Sequence, residues 1–160
     1  MMKTVHERLM SIGFFLFLAG MTGAACNFSY SVGVPKEPDE KELQKLVKTT
    51  LASFTDSLEK DDFEIIRKSA SSGFRQQFSA DKIRSGFAFF VNKKEQAVPL
   101  FREAQSLPAA FDHHKMTEKG GNYILETRGS FSASEDTIKF RFHYFREDGK
   151  WKLDTLEIKI

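Results

Sequence analysis

Histidine and acidic side chains, which commonly bind divalent metal ions, stand side by side in the run Asp112-His113-His114. Consecutive side chains of a β-strand point to opposite faces, so His113 and His114 cannot ligate one ion from one side. His143 could join them only if a distant strand pairs with theirs. We therefore expect no metal site and no cofactor, and we expect these histidines to be exposed polar side chains.

Proton-transfer chemistry would need at least two convergent polar groups, such as a carboxylate base beside a tyrosine that stabilises an oxyanion. Tyr123 and Tyr144 lie in stretches that alternate like β-strands. Glu157 shares the alternation of Trp151 and Leu153 and could point inward with them. It would stand there alone, so we predict no catalytic pair, and we expect the tyrosine hydroxyls to be hydrogen-bonded core groups.

Cys26 is the only cysteine of the 160-residue chain, so no intrachain disulfide can form. It follows Lys3 and Arg8, an apolar run over residues 12–21, and small residues that end at Ala25. This order is typical of an export signal. About ten strongly apolar residues are too few to span roughly 30 Å of hydrocarbon. Three interpretations stay open: lipidation of Cys26, soluble secretion after cleavage behind Ala25, and a retained membrane helix.

The position of Cys26 directly after small residues resembles the lipid-attachment site of bacterial lipoproteins. We favour this interpretation because it accounts for the only thiol. The resemblance implies that residues 1–25 are a signal peptide and that acyl chains such as palmitate anchor the mature protein to a membrane of the cell envelope, on its periplasmic or outer surface. Residues 26–37 are then expected to be a flexible tether.

The hydrophobic pattern predicts one folded domain over residues 38–160. Apolar residues recur at helical spacing from Leu43 to Leu58, which predicts a helix of about 20 residues. Two shorter helices are predicted to follow, and Ser79 is the expected N-cap of the second. Residues 99–108, which are bounded by prolines, are expected to be irregular or to form a short helix.

The period of the hydrophobic pattern changes to two in the last third of the chain. Residues 123–129 alternate, and residues 138–144 place apolar side chains on one face and basic or polar ones on the other. Asp148-Gly149 predicts a hairpin turn. Helices followed by strands predict the α+β class, with N-terminal helices packed on a curved antiparallel sheet of about four to six strands.

The order of a long helix, the segment LEKDDFEIIRK, a further helix and strands ending in IKFRFHYFREDGKWKLDTLEI resembles the nuclear-transport-factor-2-like family. The resemblance covers residues 38–160 and implies a cystatin-like α+β cone, in which a bent sheet wraps around helices. The family contains isomerases, dehydratases, transport adaptors and lipoproteins without known chemistry. The side chains expected to line a pocket inside the cone are Phe54, Tyr123, Phe140, Phe142, Tyr144 and Trp151.

The expected surface is nearly neutral, with a formal net charge of +2 for the whole chain, so we predict no nucleic-acid partner. The outer face of the sheet is expected to carry a solvated basic stripe, formed by Lys139, Arg141 and Lys152. The alternation also predicts an apolar patch on that face, formed by Phe145, Leu156, Ile158 and Ile160. Such a patch would suit a homodimer that pairs sheet to sheet.

These patterns together favour a non-enzymatic binding or scaffold module that is exported and lipid-anchored. Its expected partners are the membrane, through the anchor, and either a small apolar ligand inside the cone or another envelope protein. Two alternatives remain. The protein could be an isomerase-like or dehydratase-like enzyme acting in the cone cavity, or it could be soluble and secreted.

Overall fold

The computed structural model describes residues 34–134 and 136–160. The expected signal peptide (1–25), Cys26 and most of the expected tether lie outside the described residues. The helices of the described part are α1 (Glu40–Lys60), α2 (Glu64–Ser69), α3 (Ser72–Gln77), α4 (Ala80–Gly86), α5 (Ala88–Asn92) and α6 (Lys94–Ser106). The strands that follow are β1 (Ala110–Lys119), β2 (Asn122–Ser132), β3 (Thr137–Glu147) and β4 (Lys150–Lys159).

The predicted long helix is confirmed as α1, which is 21 residues long. It begins with a capping box, in which the Asp39 side chain accepts a hydrogen bond from the Glu42 N–H and the Glu42 side chain accepts one from the Asp39 N–H. It ends at Asp61, whose left-handed backbone (φ 51°) stops the helix. The predicted stripe is the buried face of this helix and includes Leu43, Val47, Thr50, Leu51, Phe54 and Leu58.

The region between α1 and the strands contains more helix than the sequence indicates. Ser71 caps α3, and Ser79 caps α4 as expected, each accepting a hydrogen bond from an N–H of the first turn. Of the two expectations for residues 99–108, irregular backbone or a short helix, the helical one is closer, because residues 99–106 belong to the 13-residue α6, which begins before Pro99 and runs through it. Proline removes one backbone N–H donor, but burial of Ala97 and Phe101 holds this helix on the core.

The strands form one antiparallel sheet in the order β1-β2-β3-β4. Tight turns connect the strands at Gly120-Gly121 and Asp148-Gly149, where all four residues have positive φ. The α+β prediction is confirmed, with four strands. No helix among the described residues has the length and apolarity needed to cross a membrane.

A bulge in β4 changes which side chains face the helices. Tyr144 pairs with Leu153, whereas His143 pairs with Thr155, so one extra residue of β4 lies between the two pairs. After the bulge, Leu156 and Ile158 share the inner face with the buried side chains of β3, and Glu157 shares the outer face with Arg141. The expectation that Glu157 follows Trp151 and Leu153 inward is therefore wrong.

Candidate functional site

The interior between the helices and the sheet is filled by aromatic rings. Phe54, Phe140, Phe142 and Tyr144 are all buried, as expected for residues that line the interior. Their rings pack against other rings rather than around an open cavity: the centroids of Phe54 and Phe101 are 5.6 Å apart, and those of Phe140 and Phe142 are 5.0 Å apart. Edge-to-face and stacked contacts of this kind stabilise a core and leave little room for a ligand.

The Tyr144 hydroxyl is held inside this layer by a partner on α1. Its oxygen lies 2.9 Å from Thr50 Oγ1, and Thr50 Oγ1 also donates to the Leu46 carbonyl oxygen at 3.1 Å. Since the threonine hydrogen is used on Leu46, Tyr144 donates to Thr50. Burial raises the pKa of the Tyr144 phenol above its ordinary value. The hydroxyl is thus a satisfied core group, as the sequence predicts.

Tyr123 and Trp151 lie apart from the four buried aromatics. Both are only partly buried. The Trp151 ring stacks under the Arg146 guanidinium, whose carbon lies 5.2 Å from the ring centroid. Trp151 lines a separate polar depression of about 510 Å³, together with Leu46 and Lys36. The six candidate lining residues therefore do not converge on one cavity.

A different concavity lies between helices α3 and α4 and the second half of β4, and we call it the α3–α4–β4 groove. Its volume is about 530 Å³. The apolar side chains that line it are Phe74, Phe78, Ile83, Phe87, Leu156 and Ile158. Its polar lining residues include Gln77, Lys82 and Asp154, and at the edge strand β4 it also reaches Glu157 and Lys159, which belong to the outer face of the sheet. An apolar floor with a few polar groups around it is typical of small-molecule sites of about 300–1,000 Å³.

Ser71 fixes the helical side of this groove to the strand. Its N–H donates to the Leu153 carbonyl oxygen at 2.8 Å, and its hydroxyl donates to Asp154 Oδ1 at 2.6 Å. The same Oγ accepts the Phe74 N–H at 3.0 Å, which caps α3. A further bond joins α3 to the end of β3, where the Ser72 N–H donates to Glu147 Oε2 at 3.1 Å. The two bonds from Ser71 to Leu153 and Asp154 set the distance between α3 and β4, and therefore the width of the groove.

The histidines are distributed as the strand pattern requires. His113 pairs with Arg128, and the next residue, His114, pairs with Thr127 on the opposite face. His143 Nε2 lies 3.6 Å from Glu126 Oε1. Within residues 34–134 and 136–160, no three His, Cys, Asp or Glu side chains come together in a way that could hold a metal ion.

The outer face of the sheet carries the expected basic residues but not the expected apolar patch. Lys139 and Arg141 are exposed there, and Lys152 is partly buried. Leu156 and Ile158 belong to the inner face because of the bulge, so the prediction of an apolar patch that includes them is wrong. Phe145 remains on the outer face, and Ile160, which follows β4, is 50% exposed. The sheet-to-sheet homodimer consequently loses its main apolar support and stays a prediction.

The sequence pattern did not identify the α3–α4–β4 groove as a site. Its helical wall comes from two helices of six and seven residues, which are too short for a convincing apolar stripe. One usable signal was the Phe74 and Phe78 pair at i, i+4 spacing, whose ring centroids lie 4.9 Å apart. The other wall depends on the bulge in β4, which no residue type in the sequence predicts.

No protein-family model matches the sequence, and no curated protein matches it. Among solved structures, the chain is similar to one named Rd1NTF2_05, a variant with five substitutions. That similarity has a TM-score of 0.35 and 10% sequence identity, and it covers 76% of this chain and 100% of the other.

Proposed function

We propose that this protein is a non-enzymatic binding module with a nuclear-transport-factor-2-like domain, lipid-anchored in the cell envelope, which binds a small apolar ligand in the α3–α4–β4 groove. The observation that carries the proposal is the contrast between a filled interior and an open groove. Phe54, Phe140 and Phe142 occupy the space that a ligand would need inside the cone. The groove offers about 530 Å³ beside it.

The chemistry of the groove favours an apolar ligand. Six apolar side chains line it, and burying an apolar ligand surface against them yields roughly 25 cal/mol per Å². Lys82 lies on its lining and takes part in no ion pair among the described residues. Asp154, by contrast, is engaged by the Ser71 hydroxyl.

The alternative of an isomerase-like or dehydratase-like enzyme gains no support from the interior. Such an enzyme needs at least two convergent polar groups in an accessible cavity. Tyr144 is committed to Thr50, and Glu157 is directed to the outer face, where its Oε1 lies 3.4 Å from Arg141 Nη1. Binding is therefore the function that the geometry favours.

The proposal is tested by filling the groove. Gly86 lines the groove at the end of α4, and a Cβ built on it would meet no atom within 4 Å. We expect Gly86→Trp to fold normally and to occupy the groove with its indole ring. Fluorescence titration with the neutral apolar dye Nile red should show saturable binding to the unmodified protein, weakened at least tenfold in Gly86→Trp.

Gly86→Ala is the matched control for this experiment. Like Gly86→Trp, it replaces glycine with a residue of higher helix propensity, which stabilises the helix by about 0.5–1 kcal/mol. Unlike Gly86→Trp, it does not fill the groove. Its dye affinity should stay within twofold of the unmodified protein. Equal dye affinity in Gly86→Trp would show that the groove is not the site, and absence of saturable binding to the unmodified protein would remove the proposed function.

A further inference from the structure

Four basic side chains meet on the outer face of the sheet, where the strand register places them in two neighbouring rows. In one row Arg128 of β2 lies directly opposite Arg141 of β3. In the next row Lys139 of β3 lies directly opposite Lys159 of β4. Rows of the same face are two residues apart along each strand, so the four cations form a compact group. We call it the basic cluster.

This arrangement costs the folded protein stability. Directly opposite side chains of an antiparallel pair have Cβ atoms about 4.5–5.5 Å apart, and like charges in that position are destabilising. Both cross-strand pairs of the basic cluster are of this kind. Packing does not explain them, because Arg128, Lys139, Arg141 and Lys159 are all exposed.

The cluster surrounds a depression and keeps much of its charge unneutralised. The depression has a volume of about 170 Å³ and is lined by all four cations, together with Asp112 and Glu157. Glu157 Oε1 lies 3.4 Å from Arg141 Nη1. Arg128, Lys139 and Lys159 take part in no ion pair among the described residues. Four positive charges thus face two carboxylates across one small concavity.

We propose that the basic cluster is a binding site for a phosphate group. Two guanidinium groups and two ammonium groups around a small concavity suit a compact anion with several acceptor oxygens, and arginine binds phosphate with paired hydrogen bonds. A bound phosphate group also removes the repulsion within Arg128–Arg141 and Lys139–Lys159. The ligand is either a free phosphate or the phosphate of a lipid headgroup, since both present the same oxygens.

The test uses the purified full chain and inorganic phosphate as the probe. Titration followed by two-dimensional NMR should show saturable shifts of the amides around residues 128–130, 139–141 and 157–159. Sodium chloride at matched ionic strength should not reproduce them. Shifts that never saturate, or that chloride reproduces, would overturn the proposal.

A double variant and a matched control separate the site from general surface charge. Lys139→Gln with Lys159→Gln should weaken phosphate binding roughly tenfold or more, since hydrogen bonds to charged groups are strong. The same variant should unfold at an equal or higher temperature, because one like-charge pair is gone. Lys119→Gln, at the distant end of β1, should leave phosphate affinity unchanged. Equal affinity in the double variant would overturn the proposal.

Vesicle flotation then distinguishes the two sources of the phosphate group. Vesicles of phosphatidylcholine alone are compared with vesicles that contain phosphatidylglycerol, using the full chain and the double variant, each with Cys26→Ser so that no acyl chain binds it to either vesicle. A preference for phosphatidylglycerol that the double variant loses assigns the site to a lipid headgroup. Saturable phosphate binding without that preference assigns it to free phosphate.

Discussion

The Tyr144 hydroxyl makes one hydrogen bond in a layer that is formed mainly by aromatic and aliphatic side chains. Thr50, its partner, keeps a second bond to the Leu46 carbonyl oxygen. A catalytic hydroxyl would have to be accessible to the substrate, whereas only 1% of the surface of Tyr144 is exposed to solvent. The geometry predicts a contribution of this hydroxyl to stability and none to ligand binding.

Tyr144→Phe should lower the free energy of unfolding by about 0.5–1.5 kcal/mol, the net value of one intramolecular hydrogen bond. The loss stays in this range because Thr50 retains its bond to Leu46. Urea unfolding measures it, and Nile red affinity should be unchanged.

Phe142→Ala is the informative comparison, because it removes a fully buried ring from the same layer and should cost about 3–5 kcal/mol. A loss of dye binding in a folded Tyr144→Phe protein would contradict the assignment of Tyr144 to the core.

At the scale of elements, the attachment of α3 to β4 depends largely on Ser71. This residue is buried, caps its helix and bonds to both Leu153 and Asp154. Ser79 caps α4 in the same way but at a longer distance, 3.3 Å, and in an exposed position. The two serines therefore form a natural pair for comparison.

Ser71→Ala should lower the free energy of unfolding by about 1–2 kcal/mol, because a helix cap and the partly buried bond to Asp154 are lost together. Ser79→Ala should cost about 0.5 kcal/mol. Chemical denaturation of both variants gives the values. If the two costs are equal, the bond between Ser71 and Asp154 adds nothing to the docking of α3.

Elements with a clear period could be predicted from the sequence, and elements that break a period could not. The apolar stripe from Leu43 to Leu58 correctly predicted α1. The alternation of residues 138–144 correctly predicted β3 and which of its side chains are buried. Pro99 suggested a stop, but buried neighbours keep α6 continuous. Strict alternation also placed Glu157 inside, since a bulge leaves no mark on the pattern of residue types.

The candidate site was less predictable than the fold for the same reason. Sequence reasoning correctly found that Phe54, Phe140, Phe142 and Tyr144 are interior residues. It assumed that interior residues line a cavity, whereas packing density decides whether any space remains. The α3–α4–β4 groove and the basic cluster both depend on pairing register, which is a tertiary property.

At the scale of the whole molecule, the proposed membrane anchoring depends on Cys26, which lies outside the described residues. Lipid attachment there would bring both the groove and the basic cluster close to a membrane. Stable anchoring needs more than one acyl chain, because each buried methylene contributes about 0.8 kcal/mol and one chain holds only weakly.

Cys26→Ser should release the protein from the membrane fraction and abolish metabolic labelling with fatty acid. Membrane fractionation and labelled palmitate check both effects. The comparison requires that the Cys26→Ser protein is still exported. Removal of residues 1–25, seen as a decrease in mass, is the measurement of export. Unchanged fractionation of a processed Cys26→Ser protein would contradict lipid anchoring and favour another mode of attachment.

The filled interior also has a consequence for kinetics. A ligand that had to enter between the rings of Phe54 and Phe101 would wait for the core to open, and its association would be slow and conformationally gated. A ligand that docks in a surface groove meets its contacts already in place. Its association rate should then be set by diffusion and orientation. Differences in affinity between ligands would therefore come mainly from their dissociation rates.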